Sequence, residues 1–462
     1  METLKHLVIV IPGIGGSVLE DADGTSVWGG NRRSIVGTVL RPASLSVSER
    51  PQLRAVALLH SFTVLPPLVV HGYDRMVTQI RRWFPAAHID LARPDREPDL
   101  GADVVLFPYD FRLGVCHAAE RLKTAVDRRL DGISQDERRR RVIVVAHSLG
   151  GLVARYWLGP LGGAGDCRAL VTLGTPHRGA PKALDWLING ARAGPLPLRT
   201  ATDVLREWPS VYDLLPRYPA VLDEGTGDMI YPRQLPGTSE AFRRSAEKSY
   251  AMHRTIEAEW SALEASQRPD VIAVFSRGHG TLSAARLAHG DLVVTPEDPD
   301  WLPNAGWRGD GTVPAISAIP IELDDDQRSW QAVPERHGPM GSAVAVAEIL
   351  RSYSGASLQP VRGTAPGRPW LGADIDDCIP AGTALRVRAR LYGIAPDAGD
   401  SLWLTIRPTD TSGPPVTHRL HRSADGWEAV TDGLAPGIYS VRVESAGHPE
   451  IVPVTELVAV IE

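Results

Sequence analysis

The stretch RVIVVAHSLGG, residues 141–151, decides the fold. Its run from Val142 to Val145 is β-branched, apolar and too short for a helix, the pattern of a strand buried on both faces of a parallel sheet. The run breaks at once into a serine among small residues. A nucleophile at the apex of a strained strand-to-helix turn needs small neighbours two positions to either side, because the backbone doubles back there; Ala146 and Gly150 occupy those places. Ala146 departs from the common GxSxG pattern by one methyl group. From Leu149 to Leu158 apolar residues recur at helical spacing, so strand, turn and helix follow in the order of a nucleophile elbow with Ser148 at its tip. The competing reading is a glycine-rich turn with an idle serine.

The surrounding chain is compatible with a well-cored enzyme. Its 462 residues exceed one typical domain, and 43% apolar with 23% charged residues is an ordinary globular balance, so two domains are expected. A net charge of −6 gives no basic footprint for nucleic acid and no polybasic membrane anchor. Cys116, Cys167 and Cys378 are far apart and lack metal spacing, which argues against a disulfide framework and for a reducing compartment. The opening METLKHLVIVIPGIGG ends in a Pro-Gly turn without a small-residue cleavage site, so it reads as a first sheet strand, Leu4 to Ile11, rather than a signal peptide. Polar residues and prolines interrupt the apolar stretch Ala55 to Val70, which excludes a spanning helix there. The expectation is a cytoplasmic protein with no transmembrane segment, internal repeat, metal site or cofactor.

Beyond the first strand, PGIGGS (residues 12–17) is the second informative stretch. Glycines at 13, 15 and 16 let the backbone turn its N–H groups toward a reacting group, as an oxyanion hole requires, with Ile14 and Leu149 as the expected backbone donors. Neither a GxGxxG pattern nor a P-loop lysine is present, which excludes the common nucleotide loops. Residues 19–70 read as a loop-rich excursion, either a cover over the site or a surface segment packed on its own apolar residues. A helix is expected over Tyr73 to Phe84, a strand over Ala102 to Phe107 and an amphipathic helix over Cys116 to Leu130. The PYDFR at 108–112 reads as a structural charge cluster, with Asp110 as a catalytic acid the sharper alternative, and DERRRR at 136–141 as a solvated turn.

After the elbow helix, Ala169 to Leu173 is a short strand leading into GTPHRG, whose His177 reads as a turn histidine satisfied by backbone. Residues 184–265 read as a mostly helical cap rich in tryptophan and proline, with a long helix from Ala241 to Leu263 and apolar faces suited to an acyl chain; an ordinary helical subdomain would look the same. A strand returns at Val271 to Phe275. In GDGTVP (residues 309–314) a tight glycine turn presents Asp310, and extended segments are expected at Ile319 to Leu323 and Trp330 to Pro334, with DDD at 324–326 a solvated turn. The second extended segment leads to His337. The order Ser148, Asp310, His337 is the α/β-hydrolase order of nucleophile, acid and base.

These stretches together resemble the lecithin:cholesterol acyltransferase family. The resemblance is carried by IPGIGGS (11–17), PYDFR (108–112), AHSLGG (146–151), LGTPHRG (173–179), DLLP (213–216) and GDGTVP (309–314), spread over roughly residues 5–350. It implies Ser148 as nucleophile, Asp310 as acid, His337 as base, Ile14 and Leu149 as oxyanion donors, and Trp28 in a lid. It also implies acyl transfer from a phospholipid or similar ester to an alcohol; in a serine mechanism the acyl-enzyme can meet water instead, and pocket shape and water exclusion decide which. No cysteine pair flanks Trp28, so the disulfide-held lid of secreted animal members has no counterpart.

The C-terminal piece differs in style. A Pro/Gly linker at 358–369 separates a hydrolase domain (1–357) from residues 370–462, where TALRVRARLYG, SLWLTIRP, THRLHRS, GWEAVT and GIYSVRVES alternate with period two between turns. That pattern predicts a small antiparallel β-sandwich, a module that binds an unknown partner or stabilises the enzyme. The fold expected overall is an α/β-hydrolase with a mostly parallel sheet, a helical cap insertion and this all-β appendage. Two functional alternatives remain beside acyl transfer: a plain lipase or esterase, and a non-catalytic binding protein on a hydrolase fold.

Overall fold

Seven strands, all paired in parallel, form the central sheet: β1 (Leu7–Ile11), β2 (Ile89–Leu91), β3 (Val104–Leu106), β4 (Val142–His147), β5 (Cys167–Leu173), β6 (Asp270–Ser276) and β7 (Trp330–Val333). Their spatial order is β7-β6-β5-β4-β1-β3-β2. The computed structural model describes residues 3–31, 34–35, 37–38, 41–63, 69–70, 72–193, 196–296, 308–326, 329–341, 344–353, 369–394, 400–409, 414–424 and 426–461. Strand order and elbow position are those of an α/β-hydrolase.

Every residue of β1 and β4 is buried, as their unbroken apolar runs require of strands covered on both faces. Side-chain alternation divides them between two cores. Leu7, Ile9 and Ile11 face the layer of α2 (Val115–Arg129) and α3 (Leu149–Leu158), while Val8 and Val10 face α1 (Asp74–Trp83) and the helix Val344–Tyr353. Each such fully buried aliphatic side chain contributes roughly 1.5–3 kcal/mol of transfer free energy. The rigid product is a sheet whose carboxyl ends carry the elbow, the PGIGGS loop and the turns after β5 and β6.

Several segments depart from the sequence expectation. The excursion after residue 16 contains a three-stranded antiparallel sheet in which Ser17–Glu20 lies between Ser26–Trp28 and Arg54–Leu58. Register shifts beside Leu19 break the period-two pattern, which hides these strands from sequence. Residues 64–68, within the same stretch, lie outside the described residues. Ile321–Leu323 is a 3₁₀ turn rather than an extended segment, entered from Pro320. A short helix, Gln135–Arg138, overlaps the start of DERRRR and is begun by Ser134 and Glu137 in a reciprocal capping box.

The insertion between β5 and β6 is mainly helical, with α4 (Pro181–Ile188), α5 (Arg199–Glu207), the short Pro209–Tyr212 helix and the long α6 (Glu240–Ala262). It also contributes Val221–Asp223 and Met229–Ile230 to a four-stranded sheet completed by the hairpin Ala284–Ala288/Asp291–Thr295. Residues 370–461 form a sandwich with its own apolar core. One sheet orders Trp370–Asp374, Ala384–Tyr392, Gly426–Gly433 and His421–Ser423; the other orders Cys378–Pro380, Val454–Ile461, Gly437–Ser445, Leu402–Pro408 and Val416–Arg419. Among the described residues the expected antiparallel pairing has one exception, the parallel pair Cys378–Pro380 with Val454–Ile461. Most of the linker, 358–368, lies outside the described residues. Among the described residues no helix is long and apolar enough to cross a membrane.

Candidate active site

Ser148 leaves β4 with φ 52° and ψ −126°, a conformation that costs a non-glycine residue on the order of 1–3 kcal/mol and persists only where packing enforces it. The enforcement is visible at Gly150, where an added Cβ would lie 2.5 Å from the Pro12 carbonyl oxygen and 2.8 Å from that of Ile11. The Ser148 N–H donates to Leu173 O at 2.9 Å, tying the turn to the end of β5.

Two residues distant in sequence converge on this serine. The Ser148 hydroxyl lies 2.9 Å from His337 Nε2, and His337 Nδ1 lies 2.7 Å from Asp310 Oδ2. A carboxylate only accepts, so the Nδ1 proton faces Asp310 and Nε2 is left to accept from the serine. Asp310 is fixed from its other side, since Oδ1 accepts the N–H groups of Thr312 at 2.9 Å and Val313 at 2.7 Å. Burial raises the Asp310 pKa, but the His337 ring and those N–H groups outweigh it and hold the carboxyl below its usual range. Gly174 makes room for the pair: a Cβ there would stand 2.8 Å from Asp310 Oδ2 and 3.1 Å from His337 Nδ1.

The PGIGGS loop runs beside the elbow. Its turn is closed by Gly16 N–H to Gly13 O at 3.0 Å, and Trp28 braces it by donating its indole N–H to Gly15 O at 2.8 Å. Among the described residues, the N–H groups of Ile14 and Leu149 donate to no backbone acceptor. Trp28 also stands edge-on to Phe111 and lines a cavity of about 310 Å³ that reaches Ser148 and His337. Ala183 and Trp186 of α4, with Leu214, supply an apolar wall, so the insertion does form one side of this cavity. The Lys182 ammonium lies there too, 3.4 Å from Thr312 Oγ1, with its pKa lowered by burial.

Sequence reasoning missed a second network. The Gly13 N–H donates to the Tyr73 hydroxyl at 2.7 Å; that hydroxyl lies 2.8 Å from His147 Nδ1, and His147 Nε2 lies 3.0 Å from the carbonyl oxygen of His337. The terminal carbonyl can only accept, so His147 carries its proton on Nε2 and receives the Tyr73 O–H at Nδ1. One neutral histidine thereby joins the glycine loop, the elbow and the His337 backbone. Burial, then the neighbouring His337, push the His147 pKa down to about 3.

Asp110 is occupied by Arg112, whose Nη2 lies 2.6 Å from Oδ2 and whose Nε lies 2.9 Å from Oδ1; both side chains are buried. That matches the structural reading of PYDFR. His177 is buried with Nε2 3.3 Å from the Thr172 hydroxyl, so a side chain rather than the backbone partners it. Asp324 pairs with Arg178 and is not simply solvated. No group of three or more metal-ligating side chains occurs among the described residues. Cys116, Cys167 and Cys378 are free.

Buried neutral histidines make folding acid-sensitive. Burial lowers His147 to about 3 and His253 to about 4, and it lowers His177 and His279 as well. Each stays neutral in the fold while its unfolded counterpart protonates below about 6.5. Their contribution is therefore fully present above pH 6.5 and is lost as pH falls toward the folded values. At pH 4.5 His147 and His253 should each have cost about 2–3 kcal/mol of stability, and the lowered pKa values of His177 and His279 act in the same direction. Urea midpoints at pH 7 and 4.5 should show this loss, and His253→Gln should reduce the difference; a pH-independent midpoint would contradict it.

Residues 100–276 match the family described as lecithin:cholesterol acyltransferase. The matched segment includes PYDFR, the elbow, LGTPHRG and DLLP, so the resemblance read from those residues is borne out there, and it supports a lipid-ester hydrolase or acyltransferase. PGIGGS, Asp310 and His337 lie outside the segment the family model matches. The structure of the Bacillus licheniformis lipase BlEst2 in its propeptide form is similar over 98% of this chain and 92% of its own, at 12% identity and a TM-score of 0.34. The fold assignment rests on the strand order above and not on that likeness. No curated protein matches the chain.

Proposed function

We propose that the chain is a serine-dependent acyl-ester enzyme acting on lipid esters through an acyl-enzyme on Ser148. The observation that carries the reading is the continuous hydrogen-bonded set Ser148, His337, Asp310, with separations of 2.9 and 2.7 Å, whose Ser148 and His337 line a largely apolar cavity. In this reading His337 Nε2 takes the hydroxyl proton as Ser148 Oγ attacks the ester carbonyl, and Asp310 stabilises the imidazolium that forms. The oxyanion develops against the N–H groups of Ile14 and Leu149, at the N-terminus of α3, where the helix dipole favours negative charge. His337 then returns the proton to the departing alcohol. A second alcohol or water, deprotonated by the same nitrogen, releases the acyl group.

The apolar walls from Trp28 and Trp186 suit an acyl chain, which favours a lipid over a small polar ester. Phosphatidylcholine vesicles incubated with the chain, with and without a long-chain alcohol, should yield alcohol esters or free fatty acid that vanish in Ser148→Ala. Alcohol esters would mark a transferase and fatty acid alone a lipase. Absence of any Ser148-dependent product would reject the lipid reading and direct assays to non-lipid esters.

A further inference from the structure

The C-terminal sandwich meets the hydrolase at the two turns that carry Asp310 and His337. Arg336, next to His337 in sequence, is nearly enclosed. Its Nη1 donates to Ile375 O at 3.3 Å, its Nη2 faces Asp377 Oδ1 at 3.5 Å, and its Nε faces Glu456 Oε1 at 3.6 Å, all three partners on the sandwich. The same guanidinium lies over the acid turn, since a Cβ added at Gly311 would stand 2.7 Å from Arg336 Nη2.

Further contacts repeat the pattern. Arg308, two residues before Asp310, pairs with Asp374. His279, wholly buried, faces Pro334 O through Nε2 at 2.9 Å and Ala373 O through Nδ1 at 3.3 Å. The Thr281 hydroxyl accepts from Gly309 N–H at 3.1 Å and Gly311 N–H at 2.9 Å, closing the acid turn from behind. Arg277 stacks over Trp370 of the first sandwich strand, its guanidinium carbon 3.9 Å from the ring centroid.

We propose that one edge of the sandwich, through Asp374, Ile375, Asp377 and Glu456, supports the catalytic centre: it holds the Asp310 and His337 turns in register, with Arg336 as the positioning residue that joins all three. The inference rests on the function proposed above. The His337 turn follows β7 and the Asp310 turn follows the hairpin Ala284–Ala288/Asp291–Thr295; they are tied to each other at one backbone point, where His337 N–H donates to Asp310 O at 2.9 Å, and the sandwich contacts add to that tie. A base displaced by about 1 Å can cost on the order of 100-fold in rate. An arginine reaches several acceptors at once through its planar fork, which a lysine cannot reproduce.

The test uses the full chain and an activated p-nitrophenyl ester, together with the rate at which a fluorophosphonate labels Ser148. Arg336→Ala should lower kcat and the labelling rate about ten- to 100-fold, with KM within about twofold, because positioning of the base is lost while the cavity is kept. Arg336→Lys should recover part of the loss, and Arg386→Ala, on an exposed Glu428 pair of the sandwich, should behave as wild type. Wild-type kcat and labelling rate in Arg336→Ala would overturn the proposal. So would a smaller labelled fraction at an unchanged rate, the signature of mere unfolding. Should Arg336→Ala not fold, Asp374→Asn carries the test, with the same loss of labelling rate expected and a wild-type rate overturning it. Failure of the wild-type chain to label would instead reject the underlying function.

Discussion

Ser148→Ala is expected to lower kcat for an activated ester by roughly 10⁵- to 10⁶-fold. The Oγ is the group His337 Nε2 faces at 2.9 Å, and no other hydroxyl is bonded to that nitrogen among the described residues. Removing it leaves imidazole and carboxylate with nothing to deprotonate but water. A residue of activity above the uncatalysed rate should survive, because a backbone oxyanion site is untouched by a side-chain truncation; such residual catalysis is typically about 10³- to 10⁴-fold over water. The elbow strain is also partly independent of the hydroxyl, so the variant should fold as wild type. Steady-state rates beside a thermal melt check both statements. Turnover within about tenfold of wild type would place the chemistry elsewhere.

Asp310→Asn is the second large effect, about 10⁴-fold in kcat, by analogy with the protease triad in which the same exchange fixes the wrong tautomer. The geometry here gives the reason. Oδ1 accepts two backbone N–H groups, from Thr312 and Val313, so an asparagine must place its carbonyl oxygen there. Its NH₂ then points at His337 Nδ1 and donates to it, which drives the imidazole proton to Nε2 and removes the acceptor that Ser148 needs. A 10⁴-fold loss corresponds to about 5.5 kcal/mol of barrier. The loss should be smallest at high pH, where hydroxide can deprotonate the serine directly, so a rate profile extended to alkaline pH separates the tautomer explanation from disruption of the fold.

How much of this was legible in the sequence depended on how local the cause was. The elbow was legible because strand, turn and helix are contiguous, and the helix from Leu149 to Leu158 falls where its apolar spacing put it. Asp310 and His337 could be nominated by chain order, and they do meet Ser148 in space, although no local pattern could give the distances. The Tyr73–His147 link was invisible because its partners lie 74 residues apart and each looks like an ordinary core residue. Bulges concealed the small sheet around Ser17–Glu20, and the short strand Cys378–Pro380 carries too few residues for a period to show. No local pattern marks Arg336, because its partners Ile375, Asp377 and Glu456 lie 39 or more residues further along the chain. Backbone conformation follows from a few neighbouring residues; side-chain convergence follows from topology, which only the folded chain displays.

The central claim, that Ser148 is an activated nucleophile, is tested most directly by treating the full chain with a fluorophosphonate and mapping the adduct by peptide mass spectrometry. A single adduct is expected, on the peptide that carries Ser148, formed in wild type, strongly slowed in His337→Ala and absent in Ser148→Ala. An unmodified Ser148, or equal labelling in the presence and absence of His337, would contradict the account.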